Sequence, residues 1–235
     1  MSLYVGNDNI VNIHKGDDRI YRVYKGSTLL WRTYYTNEVV FESSTAGSVD
    51  LNLLTYGVYR ITIIGAGGGG CGNGASGSSY SAASGAAGGG LIVDVEIPKG
   101  TLNISIGGGG VGRGGGDYQG SAAGTGGTTT VKFNGTSIGS CTGGTGGRAW
   151  FRGHYSLGQG GTFSKGSYIK TTITSATGSN GNGGNGNGTI YTCPVPISGI
   201  NYGNGGRAMG SGSGYNYIGD SGSNGYVKVQ FLGEK

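Results

Sequence analysis

The sequence predicts an all-β protein with essentially no α-helix, in which a short β-hairpin repeat module precedes a glycine-rich, β-sandwich-like domain with polyglycine-II helices. Three observations predict this fold. Glycine supplies 58 of the 235 residues. Several runs of β-branched and aromatic residues have the two-residue period of a strand. No stretch places apolar residues at the i, i+3, i+4 and i+7 positions of an amphipathic helix, and glycine opposes helix throughout.

The hairpin module is predicted by a repeat with a period of ten residues near the amino terminus. Gly6, Gly16 and Gly26 are each followed by a small polar residue and flanked by short apolar runs. This pattern is typical of tight hairpins, in which glycine adopts positive φ. We therefore assign residues 1–35 to a β-repeat attachment module. Because three hairpins bury little surface, a partner surface or a homo-oligomer such as a trimer would have to stabilise them.

Conventional strands are predicted at both ends of the remaining chain, so residues 36–235 are interpreted as one closed domain. Pro98 and Gly100 mark a turn between two of these strands. The predicted strands cover 39–41, 58–64, 91–97, 102–106, 128–133 and 225–231.

Between the strands lie tracts with almost no large side chains. Glycine brings no side chain to a core, so such tracts order only if their backbone groups bond to neighbouring chains. Extended helices with three residues per turn and no internal hydrogen bonds meet that need when they are bundled. We predict such helices in 65–77, 107–116, 143–147, 178–188 and 203–214.

Segments rich in aromatic residues separate these tracts, and a bundle of thin helices would present them as end loops. Aromatic rings among Ser, Gly and Asn give large contact areas at a low cost in entropy, as in antibody binding loops. An alternative is that the rings cap the bundle and shield its ends from water. The predicted receptor-binding residues are Trp150, Phe151, Arg152, His154, Tyr155, Tyr191, Tyr202, Tyr215 and Tyr217.

Charge is distributed unevenly along the chain, whose formal net charge is +5. Between Asp117 and Asp220 there is no acidic residue, whereas six cations fall within that stretch. Such a region would attract polyanions such as lipopolysaccharide, teichoic acid or nucleic acid. An alternative is that the scattered cations only keep the protein soluble.

The sequence offers little material for catalysis or metal binding. Gly135 to Gly139 matches G-x-S-x-G, but no helical pattern follows, as a nucleophile elbow requires. Glycoside hydrolysis needs two close carboxylates, and Asp94 and Glu96 share one face of a strand. We interpret them as part of a solvated strand face and not as a catalytic pair. The three cysteines form no C-x-x-C pair and are interpreted as free thiols, although one disulfide remains compatible with the sequence. We predict no enzyme, no cofactor and no metal site.

The alternation of glycine tracts with aromatic segments resembles the receptor-binding adhesins at the tail-fibre tips of T-even-like phages. The run from Tyr59 to Gly70 is also similar to the start of a glycine-rich domain of phage structural proteins, and the Tyr-x-Gly repeats resemble modules at their amino termini. The resemblance implies a polyglycine-II sandwich that displays variable loops to outer-membrane proteins or sugars. It carries over no individual receptor-contact residue.

The resulting hypothesis is a phage virion protein of the tail fibre or tail tip. Residues 1–35 would dock it to other virion proteins, and the glycine-rich domain would bind a host surface protein or glycan. No signal peptide or membrane segment is recognisable in the sequence, so we expect synthesis in the host cytoplasm, and neither nucleic-acid binding nor membrane insertion. The main rival is a virion structural or decoration protein without a receptor, such as a head fibre or tail-assembly protein. A weaker rival is a microbial cell-surface or ice-binding protein, against which the irregular spacing of Thr and Asn argues.

Overall fold

The all-β prediction is confirmed. A computed structural model describes residues 13–15, 18–20, 22–25, 28–72, 82–114, 121–149, 155–181, 183–184, 202–209 and 218–234. In this part of the chain there is no helix, and about 51% of the residues lie in strands of antiparallel sheets. Within the same residues, accordingly, there is no apolar helix long enough to cross a membrane.

Nineteen strands make up the described structure. In chain order they are β1 (Ile13–Lys15), β2 (Asp18–Ile20), β3 (Arg22–Lys25), β4 (Thr28–Arg32), β5 (Val39–Ser43), β6 (Gly47–Leu53), β7 (Gly57–Ile64), β8 (Ala82–Ala83), β9 (Gly90–Ile97), β10 (Gly100–Ile106), β11 (Ser121–Ala122), β12 (Thr129–Phe133), β13 (Thr136–Cys141), β14 (Arg148–Ala149), β15 (Tyr155–Ser156), β16 (Phe163–Lys165), β17 (Ile169–Ala176), β18 (Gly183–Gly184) and β19 (Tyr226–Gly233).

Two five-stranded sheets form a sandwich. The first has the order β17-β9-β7-β19-β5 and the second β16-β13-β12-β10-β6. Alternate side chains of the central strands point between the sheets, as in Leu91, Val93, Val95 and Ile97 of β9, which are fully buried. Burial of these apolar side chains supplies most of the driving force for folding of the sandwich. Every conventional strand predicted from the sequence coincides with one of these strands.

Ion pairs cover the outer face of the first sheet. Arg60 Nε lies 2.8 Å from Asp94 Oδ1, and Lys170 Nζ lies 3.3 Å from Glu96 Oε2. The two carboxylates that share a face of β9 thus each have a cationic neighbour on the adjacent strand, as expected of a solvated strand face.

The amino-terminal repeat forms hairpins where it is described. β1 pairs with β2 across residues 16–17, and β3 pairs with β4 across residues 26–27, both antiparallel. The hairpin predicted around Gly6 lies outside the described residues. The chain then enters the sandwich at Thr33 and Tyr34, which are both buried.

Beyond one end of the sandwich, glycine-rich segments form a hydrogen-bonded lattice around segment 65–72. Its backbone N–H groups donate to three neighbouring segments in turn, so that every third amide bonds to the same neighbour. This is the periodicity of a helix with three residues per turn, as predicted for polyglycine II. The amides of Gly65 and Gly68 donate to Gly89 and Ala86 in the first neighbour. Those of Ala66 and Gly69 donate to Gly127 and Gly124 in the second, and those of Gly67 and Gly70 donate to Ser223 and Asp220 in the third.

The carbonyl groups of segment 65–72 bond to three further segments, which alternate with the first three. The donor and acceptor residues are Gly144 and Ala66, Gly147 and Gly69, Gly110 and Gly67, Arg113 and Gly70, and Gly206 and Gly68. Hydrogen bonds also join each of the six surrounding segments to the next, which closes the ring. The ring order is 84–89, 142–147, 123–127, 107–113, 218–225 and 202–209. Two more segments, 157–162 and 177–181, lie outside 84–89 on one side.

Eight of the nine lattice segments directly continue a strand of the sandwich. Segment 65–72 follows β7, and segment 84–89 leads into β9. The remaining segment, 202–209, runs antiparallel to 218–225, because Asp220 and Ser223 bond to Arg207 and Asn204. The lattice is therefore an extension of the sandwich. Four returning segments (84–89, 123–127, 157–162 and 218–225) were not predicted from the sequence, because they mix glycine with Ala, Thr, Gln, Ser or Asn.

Candidate functional site

The end of the lattice that is remote from the sandwich is the candidate site; we call it the far end. Segments 65–72, 107–113, 142–147, 177–181 and 202–209 run toward it, and segments 84–89, 123–127, 157–162 and 218–225 run back. Short strand pairs lie there, namely β8 with β18 and β14 with both β11 and β15. The opposite end of the sandwich, which we call the base, holds Tyr34, and the amino-terminal hairpins precede it.

Tyr155 is the predicted receptor-binding residue that the structure describes at the far end. It lies on β15, which pairs with β14, and its side chain is 45% exposed. A large aromatic surface is thus held on a short rigid strand at the end of the lattice. The role of Tyr155 in binding stays a prediction.

Tyr202 lies elsewhere. It is the first residue of segment 202–209, at the junction of lattice and sandwich, where its ring stacks on Tyr226 with centroids 4.3 Å apart. The Tyr226 hydroxyl donates to Glu42 Oε1 over 2.7 Å, and burial, followed by this bond, raises the pKa of Tyr226. The structure therefore gives Tyr202 a packing contact at the junction and does not bring it together with Tyr155.

The other predicted site residues lie outside the described residues. Two of them adjoin described far-end positions in the sequence, since Trp150 follows Ala149 and Tyr217 precedes Ile218. The full set is Trp150, Phe151, Arg152, His154, Tyr191, Tyr215 and Tyr217.

Three exposed apolar side chains toward the far end were missed by the sequence reasoning, namely Val111, Leu157 and Ile218. Val111 is 65% exposed and Ile218 is 68% exposed, and their segments are adjacent in the lattice ring. A bridge between Gly114 and Ile218 holds them on the same flank. The sequence could have indicated them, because each is an isolated large apolar residue in a glycine-rich stretch. Thin glycine helices form no apolar core that could bury such a side chain.

The lattice and the sandwich differ in charge. The described part of the sandwich, counted from residue 33, carries six acidic and six basic residues, whereas the lattice carries Arg113, Arg148 and Arg207 against Asp220 alone. The positive stretch that the sequence predicts is therefore divided between the two parts. Arg148 and Arg207 lie on the lattice, whereas Lys132, Lys165 and Lys170 lie on strands of the sandwich. Arg152 lies outside the described residues. The acidic residues counted for the sandwich are Glu38, Glu42, Asp50, Asp94, Glu96 and Glu234, and the basic ones are Arg60, Lys99, Lys132, Lys165, Lys170 and Lys228.

The cysteines that the structure describes are both buried free thiols. Cys71 lies in the central lattice segment and Cys141 at the end of β13. Burial raises the pKa of the Cys71 thiol, which lowers its fraction of reactive thiolate. Across the described ranges, no cluster of three or more His, Cys, Asp or Glu side chains could hold a metal ion.

Comparison with known proteins identifies no family for this chain. No protein-family model matches the sequence, and no curated protein is significantly similar to it. The functional argument therefore rests on the geometry of the two ends.

Proposed function

We propose that this chain is a non-enzymatic phage virion protein of the tail fibre or tail tip that binds a receptor on the host cell surface. In this proposal the amino-terminal module attaches the protein to other virion proteins, and the far end of the lattice contacts the host. The observation that carries the proposal is that Tyr34, which follows the hairpin module, and the exposed Tyr155 lie at opposite ends of one hydrogen-bonded structure.

At the base, the chain that follows the hairpin module is anchored by packing. The Tyr34 ring lies 5.5 Å from Phe231 and 6.3 Å from Tyr59, measured between centroids. Thr33 Oγ1 donates to Glu234 Oε1 over 2.6 Å. A load on the hairpins would therefore pass into the core of the sandwich, as an attachment module requires.

Toward the far end, rigidity supports recognition. Every amide of residues 65–71 donates to a neighbouring segment, and the surrounding segments bond to one another. Binding groups mounted on a rigid scaffold lose little entropy when they engage a partner. The exposed Tyr155, Val111 and Ile218 side chains lie on this scaffold, where they supply aromatic and apolar contact surface.

The rival function is a virion structural protein without a receptor. Both functions need the attachment module, so only a property of the far end distinguishes them. Adsorption to cells is that property, because a structural protein has no reason to bind bacteria.

The test measures adsorption of the fluorescently labelled full-length protein to a panel of Gram-negative and Gram-positive bacteria, together with its melting temperature. We expect binding to at least one strain. Tyr155→Ala should weaken adsorption roughly thirtyfold if Tyr155 is an anchor costing about 2 kcal/mol. Trp150→Ala and Tyr217→Ala test the residues predicted from the sequence in the same way.

The matched control is Tyr35→Ala, because Tyr35 is 49% exposed but lies at the base. This variant should adsorb like the unmodified protein. Loss of adsorption at an unchanged melting temperature in these three variants supports a receptor-binding role. Wild-type adsorption in all three would contradict it and favour the structural rival.

A further inference from the structure

Three arginines surround the central lattice segment. Arg113 ends segment 107–113, Arg148 directly follows segment 142–147, and Arg207 lies in segment 202–209. These segments occupy alternate positions of the six-membered ring around 65–72, and each runs toward the far end. The arginines are thus spaced around the lattice axis at intervals of one third of a turn.

Backbone contacts hold the three residues at one level along that axis. The Arg113 amide donates to the Gly70 carbonyl over 3.0 Å, and a methyl group at Gly70 would lie 2.0 Å from the Arg207 carbonyl oxygen. Gly147, just before Arg148, donates to the Gly69 carbonyl over 3.0 Å. Hydrogen-bonded extended chains lie about 4.8 Å apart, so the backbone axes of segments at alternate ring positions are roughly 8 Å apart. We call these residues the arginine ring.

The arginine ring is exposed and carries excess positive charge. The one carboxylate in the described lattice, Asp220, lies with its Oδ2 2.7 Å from Arg207 Nε, and both side chains are solvent-exposed. An exposed ion pair of this kind contributes about 0–1 kcal/mol, so an anionic ligand can displace Asp220.

The residue type indicates the ligand chemistry. All three lattice cations are arginine, whereas five of the six cations in the described sandwich from residue 33 onward are lysine. A guanidinium group binds carboxylate or phosphate oxygens through a planar fork of N–H donors, which a lysine ammonium cannot do. Lysines suffice for solubility, so three arginines at one level favour recognition of anionic groups.

We propose that the arginine ring binds an anionic glycan through phosphate or carboxylate groups carried along its chain. This inference rests on the proposed host-binding function and names the chemical class of the receptor. Single-stranded nucleic acid is disfavoured, because such sites stack successive bases on aromatic side chains. The aromatic residues of the described lattice and its short far-end strands are Tyr155 and Tyr202, and the Tyr202 ring is already stacked on Tyr226 at the junction.

The first experiment measures binding of the full-length protein to immobilised phosphomannan, polygalacturonate, neutral mannan and single-stranded DNA. The two anionic glycans distinguish phosphate from carboxylate recognition. We expect binding to at least one of them and none to mannan. With three charge contacts, affinity for a flexible polyanion should fall with a log–log salt slope of roughly −2, a loss of about sixteenfold between 50 and 200 mM salt.

A pair of triple variants separates the arginine ring from net charge. Arg113→Gln, Arg148→Gln and Arg207→Gln together should weaken binding at least tenfold and flatten the salt dependence. Lys99→Gln, Lys132→Gln and Lys165→Gln remove the same charge from exposed sandwich positions and should change affinity less than twofold at physiological salt, where screening is effective beyond about 8 Å. Equal losses in the two variants, or preference for single-stranded DNA, would overturn the inference.

A gain-of-binding variant guards against misfolding as an explanation. Asp220→Asn frees Arg207 and should strengthen binding severalfold, while Asp50→Asn on the sandwich should not. No gain would remove Arg207 from the proposed site. If the unmodified protein binds no anionic glycan yet still adsorbs to bacteria, this inference fails and the proposed function stands. If it binds an anionic glycan but adsorbs to no bacterium, the proposed host-binding function fails and the anion site stands.

Discussion

The need for glycine differs sharply between positions of the lattice. A methyl group at Gly67 would lie 1.8 Å from the Asn204 carbonyl oxygen, within the space of a neighbouring backbone. At Gly108 the nearest atom would be Ala46 Cβ at 3.6 Å, an ordinary contact. Close backbone approach is not confined to the central segment, since a methyl group at Gly160 in an outer segment would lie 1.7 Å from the Gly178 carbonyl oxygen. Glycine is therefore required where a residue faces a neighbouring backbone, and Gly108 does not.

This contrast predicts different effects for two identical substitutions. Gly67→Ala should destabilise the protein by roughly 3 kcal/mol or more, because the added methyl has to displace backbone that is bonded on several sides. Gly108→Ala should be neutral or stabilise by about 0.4–1 kcal/mol, since alanine restricts the unfolded chain and meets no clash. Urea denaturation of the two variants measures the difference. Similar stabilities would show that segment 65–72 is not closely surrounded.

Sequence reasoning could not distinguish these two glycines. Both lie in glycine tracts, and nothing in their neighbours indicates which faces a backbone. The distinction depends on whether the residue faces a neighbouring segment, which is set by hydrogen bonds to segments more than 100 residues away in the chain, such as that of Gly67 to Ser223.

At the scale of elements, strands with β-branched or alternating apolar residues were predictable, including the edge strand β5, whereas β6, β13, β16 and β17 were not predicted. β7 and β9 have continuous or alternating apolar residues because they lie at or near the centre of their sheet. β6 and β17 lie at sheet edges and are largely exposed, so they lack the alternation on which the prediction depends. Edge position also explains the two register shifts in the pairing of β17 with β9, which discourage pairing with other chains.

The candidate site was predictable in kind but only partly in residues. The idea that loops at the bundle end carry aromatic groups fits the far-end location of Tyr155. Tyr202 also lies beside a glycine tract in the sequence, but it is the first residue of segment 202–209, which starts at the junction. The direction of segment 202–209 follows from its hydrogen bonds to 218–225, a long-range relation that composition does not encode.

The junction between the amino-terminal module and the sandwich gives a prediction for this element. Deletion of residues 1–32 should leave the melting temperature almost unchanged, because Tyr34 stays in the core. Deletion of residues 1–35 removes its buried ring and should cost about 3 kcal/mol, as for other large core truncations. Thermal denaturation of both truncated proteins provides the comparison.

The same truncations test attachment. The protein that lacks residues 1–32 should fold but fail to incorporate into phage particles, as judged by immunoblotting of purified particles. Normal occupancy of this truncated protein in particles would mean that the hairpin module has another purpose.

On the scale of the whole molecule, sandwich and lattice share one set of chains. The sandwich is stabilised mainly by apolar burial, with Ile61, Val93 and Val131 fully buried between its sheets. The lattice has almost no apolar side chains to bury and is ordered by backbone hydrogen bonds between its segments. Each lattice segment loses conformational freedom that its own side chains cannot compensate. The strands that lead into the segments hold them at bonding distance, so the lattice depends on the sandwich.

This dependence predicts the order in which the molecule opens. Residues 65–72 are buried and bonded on all sides by the six-membered ring, so their amides exchange only when the ring opens. Segment 177–181 lies outside the ring, and its Gly178 and Gly181 amides donate to segment 157–162 alone. Hydrogen exchange by mass spectrometry should therefore show slow exchange in 65–72, close to that of β7 and β19, and at least tenfold faster exchange in 177–181. Comparable rates in the two lattice segments would mean that the ring does not close in solution, and the rigid far end on which the binding proposals depend would be lost with it.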